Sequence, residues 1–341
     1  MQARIITIAN QKGGVGKTTT AVSLAAELAG RFRVLLIDLD SQANATSSLG
    51  LADPERTHST YDVLLDEVSL DQIVIPSNIP GLDLAPADRA LAGANIELVG
   101  LPQREHRLAQ AIRPLLAPDD PDAIPQYDLV FIDTPPSLGL LTLNALCASD
   151  HVLVPVQSEY LALEGLGQLV ETLELVRGSL NQRLGLIGIL LTMVDARTNL
   201  SEQVVTEVRR HFPAATFRAA IPRSVRLSEA PSFGRPIKTY DGSSRGARAY
   251  ADLANELLSR LGMSEETAPS RRAALARADG TDDAPTIGIS LAPADRPSPP
   301  DSPSVPDAFD TSDRRATADS LAVADRLAAP GKGQVNSAAP A

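Results

Sequence analysis

The stretch that most constrains the fold is "RIITIANQKGGVGKTTTA", Arg4 to Ala21. An apolar, β-branched run passes into a glycine-rich turn, and the turn passes at once into a run with helical periodicity. Read from Gln11, "QKGGVGKT" matches the phosphate-loop pattern G-x-x-x-x-G-K-[ST], except that Gln11 stands at the first glycine and Lys12 follows it. Gly13, Gly14, Val15 and Gly16 would turn backbone N–H groups toward phosphates, and Lys17 would meet the β and γ phosphates of a nucleotide. Thr18 supplies the hydroxyl expected on Mg²⁺, with Thr19 beside it as a further nucleotide contact. One bound nucleotide requires one lysine, yet the loop has Lys12 at its entrance as well as Lys17.

A magnesium-nucleotide site also needs acids at the ends of neighbouring strands. "YDLVFIDTPP" ends on Asp133, expected to act on the metal through a water. "RVLLIDLDSQAN" ends on Asp38 and Asp40, whose i, i+2 spacing on an extended strand would point both to one side, toward the phosphates. One of the two can position an attacking water. Further strands are expected at "HVLVPVQ" (His151 to Gln157) and "GLIGILLTMVD" (Gly185 to Asp195), beside those at Arg4 to Asn10, Arg33 to Asp40 and Tyr127 to Pro135. Several are apolar almost throughout, as parallel strands covered on both faces must be. Helical patterns fill the intervals, at Thr18 to Ala29, Leu161 to Leu180 and Ala249 to Leu261. The expected fold is α/β: a single doubly wound, mostly parallel sheet with helices on both faces.

Composition changes near Met263. Residues 264–341 hold ten of the 26 prolines and one aromatic, Phe309, with 12 acids against 8 bases. Such a segment buries too little apolar surface to offset its ordering entropy, so the domain is expected to span 1–262 and the rest to form a disordered tail. The single cysteine, Cys147, excludes an internal disulfide and a cysteine-only metal site. No long apolar run or leader pattern is present, and the expected location is cytoplasmic. His58, His106, His151 and His211 are scattered without ligand spacing and are read as structural. The formal charge of -11 opposes a nucleic-acid partner, but ten basic residues against four acids between Arg197 and Arg248 make one late segment locally +6.

"KGGVGKTT", "DLDSQAN" and "FIDTPPSLG", in that order, resemble the ParA/Soj family of chromosome- and plasmid-partitioning ATPases, and the resemblance continues through "PVQSEYLALEGL", "LLTMVDARTN" and "IPRSVRLSEAPSFGRPI". It covers residues 1 to about 262. The resemblance implies a P-loop NTPase of the deviant type, with ATP and Mg²⁺ as cofactors and an ATP-dependent homodimer. Lys12 would be the deviant lysine that crosses to the partner subunit's nucleotide, where it stabilises the transferred phosphoryl group as an arginine finger does. Asp40 aligns with the aspartate required for hydrolysis, and Asp38 with a switch or metal-shell residue. The family usually reads "DPQGN" where this chain has Ser41 and Ala43 in "DSQAN".

By the same resemblance, Arg197 and Arg226 match arginines that hold non-specific duplex DNA, with Arg223, Lys238 and Arg245 as neighbours. Met193 and Pro222 fall in segments that border the adenine. Hydrolysis stimulated by a ParB-like centromere-binding protein, and association with the nucleoid, complete the implied cycle. Two alternatives stand beside it: a MinD-like ATPase acting on a membrane or protein surface, and a nucleotide-switched scaffold. The acidic tail ending in "GKGQVNSAAPA" lacks the basic amphipathic helix that membrane attachment needs, so no membrane partner is expected. The lone cysteine opposes an iron–sulfur carrier, and a tail without tyrosine opposes a tyrosine autokinase.

Overall fold

The computed structural model describes residues 3–116, 126–159 and 162–263. Residues 264–341, expected as a tail, lie outside the described residues. Among the described residues eight strands form one sheet: β1 (Arg4–Ile8), β2 (Val34–Asp38), β3 (Ile75–Pro76), β4 (Leu82–Ala85), β5 (Leu129–Asp133), β6 (His151–Gln157), β7 (Gly185–Val194) and β8 (Thr216–Pro222), in the spatial order β3-β4-β2-β5-β1-β6-β7-β8. All neighbours are parallel except β3 against β4. Every residue of β2 and β5 is buried, as the apolar runs require of strands packed on both faces.

β1 lies at the centre, between β5 and β6. The chain leaves β1 toward one side of the sheet and returns later to build the other, so the crevice beyond its carboxyl end is where such folds bind ligands. The phosphate loop occupies that end and leads into α1 (Lys17–Leu28). Register fixes the acids: Asp38 is opposite Asp133 on the adjacent strand, and Ile8 is opposite Asp133 on the other side.

The helix Arg245–Leu261 closes the fold over α1 and β8. Ser244 caps it by accepting from the Ala247 N–H, and Gly262 ends it with φ 64, a left-handed turn that glycine adopts without steric cost. Leu253 and Leu257 on its inner face are fully buried, each contributing about 2 kcal/mol of apolar burial. Gly246 lets this helix approach closely, since a Cβ there would meet the Leu227 side chain at 2.8 Å.

Candidate nucleotide site

The loop is held in shape before any ligand arrives. Asn10 donates through Nδ2 to the Pro155 carbonyl (2.7 Å) and accepts from the Lys12 N–H (2.9 Å), tying the loop entrance to β6. Thr192 donates to the Val15 carbonyl (2.9 Å), tying the loop crest to β7. Gly14 and Gly16 take φ of 73 and 89, the left-handed region, which lets successive N–H groups turn inward. α1 begins with no side-chain cap and no acid in its first turn, so its amino-terminal N–H groups remain available to an anion.

The two lysines have different surroundings. Lys17 is 7% exposed and donates to the Lys12 carbonyl (3.2 Å). Burial lowers its pKa, while the charges of Asp133 and Asp40 act in the opposite direction. The Lys12 ammonium stands at the entrance with 46% of its side chain exposed, paired at 2.8 Å with Glu159. Solvent screening leaves such a pair worth about 1 kcal/mol or less, so it is readily exchanged for another anion.

Three carboxylates converge opposite Lys17. Both oxygens of Asp133 are fully buried and accept no hydrogen bond among the described residues. Burial raises its pKa well above the ordinary carboxylate value, and the Asp38 charge adds to the effect; the Thr18 hydroxyl, close by but outside hydrogen-bond geometry, favours the charged form. A buried acid without a donor needs a cation or a water. That orphaned carboxylate beside a threonine hydroxyl and a phosphate loop fits Mg²⁺ arriving with a nucleotide. Among the described residues no cluster of three or more His, Cys, Asp or Glu side chains could hold a metal alone. Such a donor set suits a cation that keeps waters and phosphate oxygens as most of its ligands.

Asp38 and Asp40 do not stand as a matched pair. β2 ends at Asp38, and the chain turns, so the Asp40 N–H donates to Asp38 Oδ1 (3.1 Å). Asp38 Oδ2 accepts from both the N–H and the hydroxyl of Thr46 in α2 (Asn44–Ser48), at 2.9 and 2.8 Å. Burial pushes the Asp38 pKa up to about 6 against these donors. Both Asp38 oxygens are thus committed to holding the loop after β2, and a metal contact would have to displace one of these donors. Asp40 accepts from the Gln42 N–H (3.0 Å) and is 7% exposed, on the same side as Lys17. Ala43, where the family pattern has glycine, takes φ 50 and ψ 38, the left-handed conformation for which that glycine is suited.

Beyond the phosphate loop lies a cavity of about 460 Å³ lined by Gly16, Thr19, Met193, Pro222, Arg223 and Leu227, among others. It brings both expected base-bordering residues to the loop. Met193 has φ 52 within β7, where the register with β8 shifts, and this bend aims the end of β7 at the cavity.

The five basic residues expected on DNA fare differently. Arg197 is 85% exposed and paired through two nitrogens with Asp195, at 2.8 and 2.7 Å. Arg226 pairs with Glu229 (3.1 Å) and Asp241 (3.5 Å). Lys238 donates to the Glu27 carbonyl (3.2 Å) and reaches its carboxylate (3.6 Å), so it serves the carboxyl end of α1. Arg223 and Arg245 are exposed, and their guanidinium groups make no hydrogen bond or close ion pair among the described residues, although the Arg223 charge acts on nearby Asp195. Sequence reasoning did not give Asn10, Thr46, Thr192 or Glu159 a role in shaping the site. Asn10, Thr192 and Glu159 lie inside the motifs quoted above, but the partners of the four are 145, 8, 177 and 147 residues away, so their contacts had no local signal.

This loop, its strand-end acids and a doubly wound sheet define a P-loop nucleotide-binding protein. A family model described as an AAA domain matches residues 3–186. The chain is 51% identical over 258 residues to the chromosome partitioning protein ParA of Myxococcus xanthus, covering 75% of this chain and 88% of that one. It is 52% identical over 257 residues to the sporulation initiation inhibitor protein Soj of Bacillus subtilis, covering 74% and 98%. The chain belongs to the ParA/Soj family of partitioning ATPases. Among solved structures it resembles a cobyrinic acid a,c-diamide synthase from Mycobacterium smegmatis with bound ADP and magnesium, at 37% identity and TM-score 0.66, covering 76% and 96%. A plasmid partition protein from Borrelia burgdorferi bound to AMPPNP matches at 26% identity and TM-score 0.63, covering 76% and 100%.

Proposed function

We propose that this chain is an ATP-driven DNA-segregation switch. Two ATP-bound copies close face to face, the closed dimer holds non-specific duplex DNA, and hydrolysis prompted by a ParB-like partner releases it. The observation that carries the reading is the division between the lysines: Lys17 is buried beside the acids, whereas Lys12 waits at the rim on an exposed, exchangeable pair with Glu159. A cation so placed suits a nucleotide brought by a second copy.

In this reading Lys17 and the loop N–H groups hold the β and γ phosphates, and Thr18 with Asp133, through water, holds Mg²⁺. The metal supplies neutralisation of the charge that develops on the phosphates. Asp40 orders the attacking water, and Asp38 with Thr46 fixes the loop from which Asp40 projects. Met193 and Pro222 border the base. Arg223 and Arg245 meet DNA phosphates with guanidiniums that have no hydrogen bond to give up, while Arg197 and Arg226 first exchange Asp195, Glu229 and Asp241 for phosphate. Nucleoid association follows from DNA binding. Among the described residues no helix is long and apolar enough to cross a membrane.

The test is binding of the full chain to a random-sequence duplex with ATP or ADP over a salt series. Binding with ATP that weakens steeply with salt is expected, with a slope smaller by about one for each DNA phosphate that Arg223→Ala or Arg226→Ala leaves unpaired. Asp40→Ala should trap the DNA-bound state. Equal binding in both nucleotides, or loss of DNA binding in Asp40→Ala, would overturn the proposed order of events.

A further inference from the structure

We propose that an arginine-lined cleft at the amino-terminal edge of the sheet, opposite the phosphate loop, binds a small ligand that carries several closely spaced phosphates. The cleft has a volume of about 1080 Å³, the size of a small-molecule site. Its walls come from the first residues of β1, β6, β7 and β8, the end of the helix Ala162–Ser179, and the last two turns of the helix Arg245–Leu261. The ten residues of β7 separate it from the nucleotide cavity, roughly 30 Å along an extended strand.

Five arginines and two acids line the cleft, with no lysine. Both acids are taken. Asp150 pairs with Arg183 at 2.8 Å and accepts from the Ile5 N–H, while Glu256 accepts from Arg260 at 2.8 Å and from the N–H groups of Arg218 and Ala219. Arg260 is further fixed by donating to the carbonyls of Ile187, Ala215 and Thr216, and it stacks 4.0 Å over the Phe217 ring. Gly188 makes room for this floor, because a Cβ there would meet Phe217 at 2.3 Å and Arg260 at 2.8 Å.

Three guanidiniums remain. Arg4, Arg177 and Arg218 have no side-chain partner among the described residues, although they face one cavity whose acids are already satisfied. Three like charges gathered around one concavity repel one another, and a ligand with matching negative charges relieves that repulsion. Guanidinium forks bind phosphate oxygens two at a time, so a short polyphosphate chain fits the donor set better than a single anion does. The concave shape and small volume favour a compact ligand over a duplex.

The experiment uses the full chain saturated with ADP and excess Mg²⁺, so that the phosphate loop is filled, and measures equilibrium dialysis of radiolabelled inorganic tripolyphosphate. One equivalent should bind with ADP retained. Arg177→Ala/Arg218→Ala should weaken tripolyphosphate more than tenfold and leave ADP affinity unchanged. Should the double variant fail to fold, Arg218→Ala alone, at the exposed rim, is expected to weaken it three- to tenfold. Tripolyphosphate binding that survives these substitutions at wild-type strength overturns the assignment. So does an ADP-saturated wild type that takes up none. The proposal stands apart from the DNA reading, since neither outcome depends on a second copy or on duplex binding.

Discussion

The two edges of the sheet handle charge in opposite ways. At the carboxyl edge three buried acids surround one lysine, and Asp133 has no hydrogen-bond donor at all among the described residues. At the amino edge every acid has its arginine, and the surplus is cationic. The same strands run through both regions, so the difference comes from what caps them. Parallel strands bring their loops to two separate faces, and each face can be charged independently of the other. The carboxyl edge is unsatisfied without a cation, and Arg260 satisfies the floor of the amino edge from within.

Substitutions that remove one charge from each edge should therefore part ways. The largest effect is expected from Lys17→Ala, which leaves the acids without their buried cation; nucleotide affinity should fall more than a hundredfold, about 3 kcal/mol or more, in a binding titration. Arg260→Ala should leave nucleotide affinity alone yet cost about 3 kcal/mol of stability in denaturant unfolding, because the carbonyls of Ile187, Ala215 and Thr216 each lose a charged donor and Phe217 its stacking partner.

Asp133→Asn should act in the reverse sense, raising the stability of the nucleotide-free protein by about 1–2 kcal/mol while abolishing the gain that Mg²⁺ and ATP give. Its pH dependence sharpens the contrast. The folded-state pKa of Asp133 lies well above 3.8 and that of Asp38 near 6, so the folded chain holds protons more tightly than the unfolded one. The stabilisation from protonation is complete below about pH 4 and is lost as pH rises through the folded values. The advantage of Asp133→Asn over wild type should accordingly be small near pH 4 and grow as pH rises above it; an advantage that shrinks with rising pH would contradict the charge assignment. Smallest of all, Ala43→Gly should change stability by under about 1 kcal/mol, because relief of the left-handed strain is partly offset by the added freedom of the unfolded chain.

How much of this was legible in the sequence differs between the edges. β1, β2, β5, β6 and β7 appear as expected from their apolar runs, and the phosphate loop sits between strand and helix as its glycines dictate. β4 has only four residues, and β8, "TFRAAIP", mixes an exposed arginine with alanines at the sheet margin, so neither has a readable period. β3 is two residues long and is defined by its antiparallel partner rather than by its own pattern. Asp133 and Asp40 could be located because a strand end is marked by local residues. The turn that takes Asp40 out of line with Asp38 could not, since it depends on Thr46 donating twice from α2. The basic segment was visible as composition, but which cations stay free was decided by Asp195, Glu229, Asp241 and the end of α1. The amino-edge cleft had no local signal, because its arginines come from five separate segments.

Arg4 opens β1 and Arg260 lies in the last turn of the helix Arg245–Leu261, and both line that one cleft. The two ends of the described domain therefore lie at the same pole, remote from the nucleotide. A fluorescent reporter or surface tether fused at either end would leave the opposite face clear for a second copy. Ends at one pole also make the domain a candidate for circular permutation, or for splicing whole into the surface loop of a host protein.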